Sequence, residues 1–234
     1  MRIAYVVLTC DKYMDTRRVW QMETVFRTAP REDIFYLGGG TREAERVFSW
    51  GAPDDYVSLP LKFVDFFVRT ELGGKYDWFF LMDDDTYLYL DRLERRMALL
   101  EEGGVDPQKD VYAEGSFMTH IAHTQWGVYP SGGAGTLLSA EAYRQIQERL
   151  RRLVGGGSGA TYTPPHDCAD ICMGRWIKSL DGHRMIHYDG YHPEMARAGQ
   201  GEEEEDITFH HLKEKEDFWA HWHIGQRKGV KLIT

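Results

Sequence analysis

An α/β fold, one domain with a mostly parallel central sheet flanked by helices, is what this chain of 234 residues predicts. Three observations carry that prediction. Short apolar runs of strand length alternate with runs of helical period through the first half, the pattern of parallel strands joined by crossover helices. Residues 78–82, Trp-Phe-Phe-Leu-Met, are apolar at five consecutive positions, as in a strand buried on both faces. The length, with 42% apolar and 28% charged residues, suits one globular unit with a sizeable core.

Taken in order, residues 2–9 read as a first buried strand. Residues 15–28 carry apolar side chains at 19, 20, 22, 25 and 26, a helical spacing that Pro30 closes. A second strand spans 33–37 and stops at Gly38-Gly39-Gly40; 43–48 reads as a short helix and 56–59 as a third strand. Residues 61–72 make an apolar helix ended by Gly73-Gly74. The strand at 78–82 follows, then a helix over 90–102. In the second half, 111–112 and 127–129 are short strands, and Ser139 is an N-cap for a helix through 153. Residues 155–159 form a Gly/Ser loop. A helix over 169–180, a strand over 184–188 and an amphipathic helix over 213–223 complete the chain, and the acidic run 202–206 reads as a solvated loop.

Composition removes some functions. A formal charge of −9 and a pI near 5.6 argue against a nucleic-acid partner, which calls for a basic surface. Cys10, Cys168 and Cys172 are too few and too irregular for a disulfide framework and read as reduced, half-buried thiols. No run reaches transmembrane length, and the chain enters its first strand too soon for a signal peptide. The expectation is a soluble cytoplasmic protein, unless the chain is an excised domain.

Three acids, Asp83-Asp84-Asp85, follow the buried strand at once. Packing them together costs desolvation and mutual repulsion, and a divalent cation removes both. Ligands of α/β sheets bind at the carboxyl ends of strands. The triplet therefore suggests an oxygen-bound Mn²⁺ or Mg²⁺ with a phosphate ligand; a solvated helix-capping turn is the alternative. Ser131-Gly132-Gly133-Ala134-Gly135 permits close approach of a ligand to the backbone, or is a simple turn; no Lys-Ser/Thr pair follows, so it is not a P-loop. Asp170 stands at the start of a helix, as a cap or a general base. Phe209-His210-His211 offers a histidine of structural or ligating use. Zinc at His183 and His187, or His221 and His223, has little support without thiolates or an HExxH pattern.

In this order the pieces resemble the Fringe and core-1 β1,3-galactosyltransferase group of inverting glycosyltransferases, over roughly residues 3–212. The segments that carry the likeness are Val7-Leu8-Thr9 with Thr16-Arg17; Gly74-Lys75-Tyr76-Asp77-Trp78 through Asp83-Asp84-Asp85-Thr86-Tyr87; Tyr129 to Gly135 with Leu138-Ser139; Asp170 four residues before Gly174; and Phe209-His210. The second and third are the specific ones. Secretory-pathway members carry disulfides, an anchor and a stem, which the expectation for this sequence leaves out, and its second strand lacks an acid that some members place there.

The resemblance implies a single GT-A domain over 1–234, with a nucleotide-binding half (1–102) and an acceptor and catalytic half (103–234). It implies a UDP-sugar donor, a glycan or glycoconjugate acceptor, and Mn²⁺ or Mg²⁺. Asp85 is then a metal ligand, with Asp83 on the metal, its water or the ribose, and His210 the second protein ligand. Thr9, Arg17 and Asp84 would serve the nucleotide, Gly132 and Gly133 would border the donor sugar, and Asp170 would be the catalytic base. It implies a bacterial or viral cytoplasmic enzyme, or the Golgi lumen for an excised domain. Two rivals are a non-catalytic relative that binds or chaperones, which should have lost these acids, and a metal-dependent nucleotide-sugar hydrolase. The donor sugar, acceptor, linkage and oligomeric state are not legible.

Overall fold

In the computed structural model, which describes residues 1–155, 162–194 and 203–229, β1 (Ile3–Leu8) leads through α1 (Arg17–Glu23) to β2 (Ile34–Leu37) and β3 (Val47–Phe48). Then come α2 (Leu59–Arg69), β4 (Trp78–Asp83), β5 (Tyr87–Leu88) and α3 (Leu90–Glu102). The second half holds β6 (Tyr112–Gly115), β7 (Phe117–Thr119), β8 (Val128–Pro130), β9 (Thr136–Ser139), α4 (Ala140–Val154), α5 (Ala169–Lys178), β10 (Arg184–His187), β11 (Tyr191–His192), β12 (Thr208–Phe209) and α6 (Lys215–Gly229).

The main sheet runs β10-β6-β9-β4-β1-β2-β3. Its neighbours are parallel except at β9, which lies antiparallel to both β4 and β6. The sheet is covered on both faces, so alternate residues of one strand enter different cores. Ala4, Val6 and Leu8 of β1 pack with α2, α4 and α5; Ile3, Tyr5 and Val7 pack with α3 and α6. That two-sided burial is why β4 reads as an unbroken apolar run.

Several expectations need correction. The strand expected over 56–59 is a 3₁₀ turn, Tyr56–Ser58, that feeds α2. Asp55 closes it by accepting the Ser58 N–H at 2.9 Å, and Tyr56 and Val57 are 77% and 56% exposed, so these apolar residues have no core to enter. The helix expected over 43–48 is a 3₁₀ turn, Glu43–Glu45, followed by β3. α1 stops at Glu23: Thr24 leaves helical backbone at φ −120, the Phe26 N–H donates to the Gln21 carbonyl at 2.8 Å, and Val25 and Phe26 are buried in the turns that follow. β5, β7, β9 and β11 are too short to show a period. Ser139 is the expected N-cap, accepting from the Ala142 N–H at 3.1 Å.

The acidic run is solvated only in part. Glu203, Glu204 and Glu205 are exposed, but Asp206 is buried and 2.6 Å from His192 Nε2. Glu202 and all of the Gly/Ser loop after Gly155 lie outside the described residues. Cys172 is fully buried rather than half-buried, its thiol directed at the His166 carbonyl. No helix among the described residues is long and apolar enough to cross a membrane.

One contact ties the sheet to its helical cover. Phe79 of β4 stacks on Tyr143 of α4 with centroids 3.9 Å apart and planes 5° from parallel, both fully buried. Tyr143 in turn shares a 2.7 Å hydrogen bond with Thr70 at the end of α2. Phe79→Ala should destabilise the fold by about 3–5 kcal/mol through lost contact and an unfilled cavity. Urea unfolding would measure it; a loss of about 1 kcal/mol or less would mean the site collapses freely around the deletion.

Candidate active site

Parallel pairing of β1 with β4 sets Leu8 beside Asp83, so Thr9 emerges next to Asp84. The Thr9 hydroxyl donates to Asp84 Oδ2 at 2.7 Å, and Arg17 from the start of α1 donates to Asp84 Oδ1 at 2.9 Å. Asp84 is thus buried with both oxygens engaged by protein. The backbone turn through the acids is held by a buried amide. Gln21 Nε2 donates to the carbonyls of Asp83 (3.2 Å) and Thr86 (3.1 Å), while its own oxygen accepts from Tyr36.

A small three-stranded sheet, β11-β12-β5, delivers the histidine. β5 starts two residues after Asp85, and β12 pairs with it antiparallel, Phe209 opposite Tyr87. The chain leaving β12 therefore crosses the acid turn. His210 Nε2 lies 3.1 Å from Asp85 Oδ1 and 3.8 Å from Asp83 Oδ2. The Leu212 N–H donates to the Asp85 carbonyl at 2.9 Å, and Lys213 bonds Asp85 Oδ2. Among the described residues, one group able to hold a metal ion converges: Asp85, His210 and His211. His183 and His187 form no such group with each other, and buried His221 instead shares a hydrogen bond with Tyr89.

The glycine loop, between β8 and β9, joins the acids to the helix that carries Asp170. Thr86 donates its hydroxyl to the Gly133 carbonyl at 2.6 Å. A Cβ on Gly132 would lie 2.4 Å from Asp170 Oδ1, and one on Gly133 within 2.3 Å of three His210 ring atoms. These two glycines are therefore demanded by the side chains that press on them. Gly174 does the same for α5: a Cβ there would meet the Tyr129 Cα at 2.6 Å, so the helix backbone sits directly on β8 and sets Asp170 over the loop.

The charges are crowded. Burial raises the Asp170 carboxyl, against a hydrogen bond from the Gly132 backbone and the nearby His210. Burial and then Asp170 push Asp83 up to about 8, partly offset by His210. Asp83 keeps a third of its side chain open, but it sits deep among other protein atoms. Asp85 goes the other way. Burial works to raise it, but His210 and Lys213 outweigh burial and hold it well below the usual carboxylate range. The imidazole of His210 is lowered by burial and raised more by Asp85 and Asp83. Carboxylates with an imidazole, partly proton-bearing and partly tied to Lys213 and Arg17, make a donor set that suits a hard or borderline divalent cation.

A sequence model described as Fringe-like matches residues 61–221. The chain belongs to the Fringe-like glycosyltransferase family. The human chondroitin sulfate glucuronyltransferase is 33% identical to this Fringe-like chain over 162 residues, 68% of the chain. The match spans only 19% of that relative's length. In architecture the chain resembles a glycosyltransferase involved in the glycosylation of the major capsid of PBCV-1, with a TM-score of 0.50 and 12% identity over 94% of this chain and 99% of the other. That likeness is one of fold, the GT-A α/β fold.

The structure brings Asp83, Asp85, Asp170, His210, Gly132 and Gly133 to one place, with Thr9, Arg17 and Asp84 beside them. Thr9 and Arg17 lie before the segment that the family model matches. Sequence reading did not single out Lys213 or Gln21, and it named His211 only beside His210. For Lys213 a signal existed, a basic residue three positions after a candidate ligand histidine. For Gln21 there was none.

The Gly133 contact gives a direct test. Gly133→Ala forces the His210 ring off its seat and breaks the bond to Asp85, so the raised imidazole pKa should fall. An NMR pH titration of His210 reads this, and an unchanged titration would show that the loop yields instead.

Proposed function

We propose that this Fringe-like chain is a metal-dependent, inverting glycosyltransferase that moves a sugar from a UDP-sugar to a hydroxyl of a glycan or glycoconjugate, forming a β-linkage of β1,3 type. The observation that carries the reading is the pair of adjacent glycines. Gly132 and Gly133 seat a partly buried carboxylate and a carboxylate-bound imidazole one residue apart, which supports a base and a cation site sharing one loop.

In this reading Asp85, Asp83 and His210 hold Mn²⁺ or Mg²⁺. A cation held by these residues would supply positive charge to stabilise a departing diphosphate. Asp84 serves from within: held by Thr9 and Arg17, it fixes the turn and leaves Arg17 at the nucleotide's edge. Gly132 and Gly133 border the donor sugar with bare backbone. Asp170 accepts the proton of the acceptor hydroxyl as the new bond forms. Burial that raises its carboxyl makes it a stronger base than an exposed aspartate, and the Gly132 N–H orients it. One base and no dedicated protein nucleophile fit a single displacement with inversion. The proposed division at residue 102 places Thr9, Arg17 and the acid triplet in the nucleotide half, but His210 joins them from the other half.

Asp170→Asn should retain Mn²⁺-dependent UDP binding by calorimetry and lose turnover by about 10²–10⁴-fold in a UDP-release assay. Near-normal turnover would remove Asp170 as base. Asp85→Ala should abolish Mn²⁺-dependent UDP binding while circular dichroism stays native. UDP affinity equal to that of the parent, with Mn²⁺ present, would sink the cation assignment.

A further inference from the structure

Lys213 stands outside the segments that carry the family resemblance, yet it makes a direct ion pair with the acid at the centre of the site. The geometry behind this is specific. His211 adopts a left-handed backbone, φ +66, which is uncommon for a residue with a side chain. It turns the strand end so that His210 and Lys213 reach opposite oxygens of one carboxylate: His210 Nε2 at Oδ1, 3.1 Å, and Lys213 Nζ at Oδ2. Arg17 is 3.5 Å from the same Oδ2. The Leu212 N–H to Asp85 carbonyl bond locks the turn in place.

Two cationic side chains therefore meet one oxygen of Asp85, while His210 lies at the other. A divalent cation bound by Asp85 would lie close to both and repel them. They differ in freedom. The Arg17 side chain is 11% exposed and anchored on Asp84, whereas that of Lys213 is 45% exposed, with a flexible four-carbon stem. Lys213 is the group that can move. Its ammonium then stands beside the cation, where the charge that the cation attracts must lie.

We propose that Lys213 changes partners. It neutralises Asp85 in the metal-free protein, and when a divalent cation takes Asp85 it moves to oxygens of the donor's diphosphate, becoming a protein cation for the leaving nucleotide. This rests on the reading of the site as one for a nucleoside diphosphate with a divalent cation. The change of partner also limits the cost of assembling these acids before substrate arrives, because Asp85 is never a bare buried charge.

The test uses Lys213→Met, which keeps the apolar stem, and Lys213→Arg, which keeps the charge. Calorimetry would titrate each with Mn²⁺ alone, then with UDP in saturating Mn²⁺. Loss of a competitor should make Mn²⁺ alone bind more tightly to Lys213→Met than to the parent. UDP should bind this variant about 10- to 100-fold more weakly, the worth of a hydrogen bond between charged groups. Lys213→Arg should recover much of the UDP affinity. Weaker binding of Mn²⁺ and UDP by the same factor would overturn the proposal, since Lys213 would then only hold Asp85 in position. UDP affinity within about twofold of the parent would also overturn it. A parent protein with no Mn²⁺-dependent UDP binding would overturn the site reading and this proposal with it, whereas the preceding outcomes leave the site reading intact.

Discussion

Four carboxylates gathered at one end of a buried strand impose the constraint around which the rest of this structure is arranged. Asp83, Asp84 and Asp85 leave β4 together, and Asp170 is brought against them from α5. Each is buried enough that its charge is costly, and each worsens its neighbours. The fold answers acid by acid. Asp84 is taken by Thr9 and Arg17, Asp85 by His210 and Lys213, and Asp170 by a backbone N–H. Asp83 has the weakest partner, His210 at 3.8 Å, and its carboxyl rises to about 8. The imbalance is the physical reason to read the cluster as a cation site: a divalent ion supplies the positive charge that protein groups have supplied incompletely.

The neighbouring elements follow from that need. β12 lies between β11 and β5, and its pairing with β5 carries His210 and Lys213 across the acid turn. The glycine loop must come close enough for Thr86 to reach the Gly133 carbonyl, and at that distance nothing larger than hydrogen fits beside Asp170 and His210. Gly174 permits the same economy of space under α5. Glycines spread over the sequence thus answer to a single packing problem around one set of charges.

The acids are held in place because they end a strand that is paired on both sides. β4 lies between β1 and β9, and its alternate side chains enter two separate cores. Gln21, wholly buried, then fastens the turn that the sheet no longer controls. A loop of three acids without such support would relieve its repulsion by moving apart.

The α/β class was legible because burial on both faces writes itself into a strand as an unbroken apolar run, and helices show their period over several turns. The acid triplet, the glycine pair, Asp170 and His210 were legible as residue types in a familiar order, which carried the Fringe-like membership. The strands β5, β7, β9 and β11 were not, since two to four residues are too few for periodicity to distinguish from a loop. Nor was the fate of Tyr56 and Val57, whose apolar character suggested a strand until the tertiary structure left them in solvent. Local sequence determined which chemistry was present. Only the tertiary structure decided that Thr9 and Arg17 are spent on Asp84, that Lys213 sits on Asp85, and that two glycines yield their space to a carboxylate and an imidazole. Those are contacts between residues far apart in the chain, and their energies depend on distance and burial that no local pattern encodes.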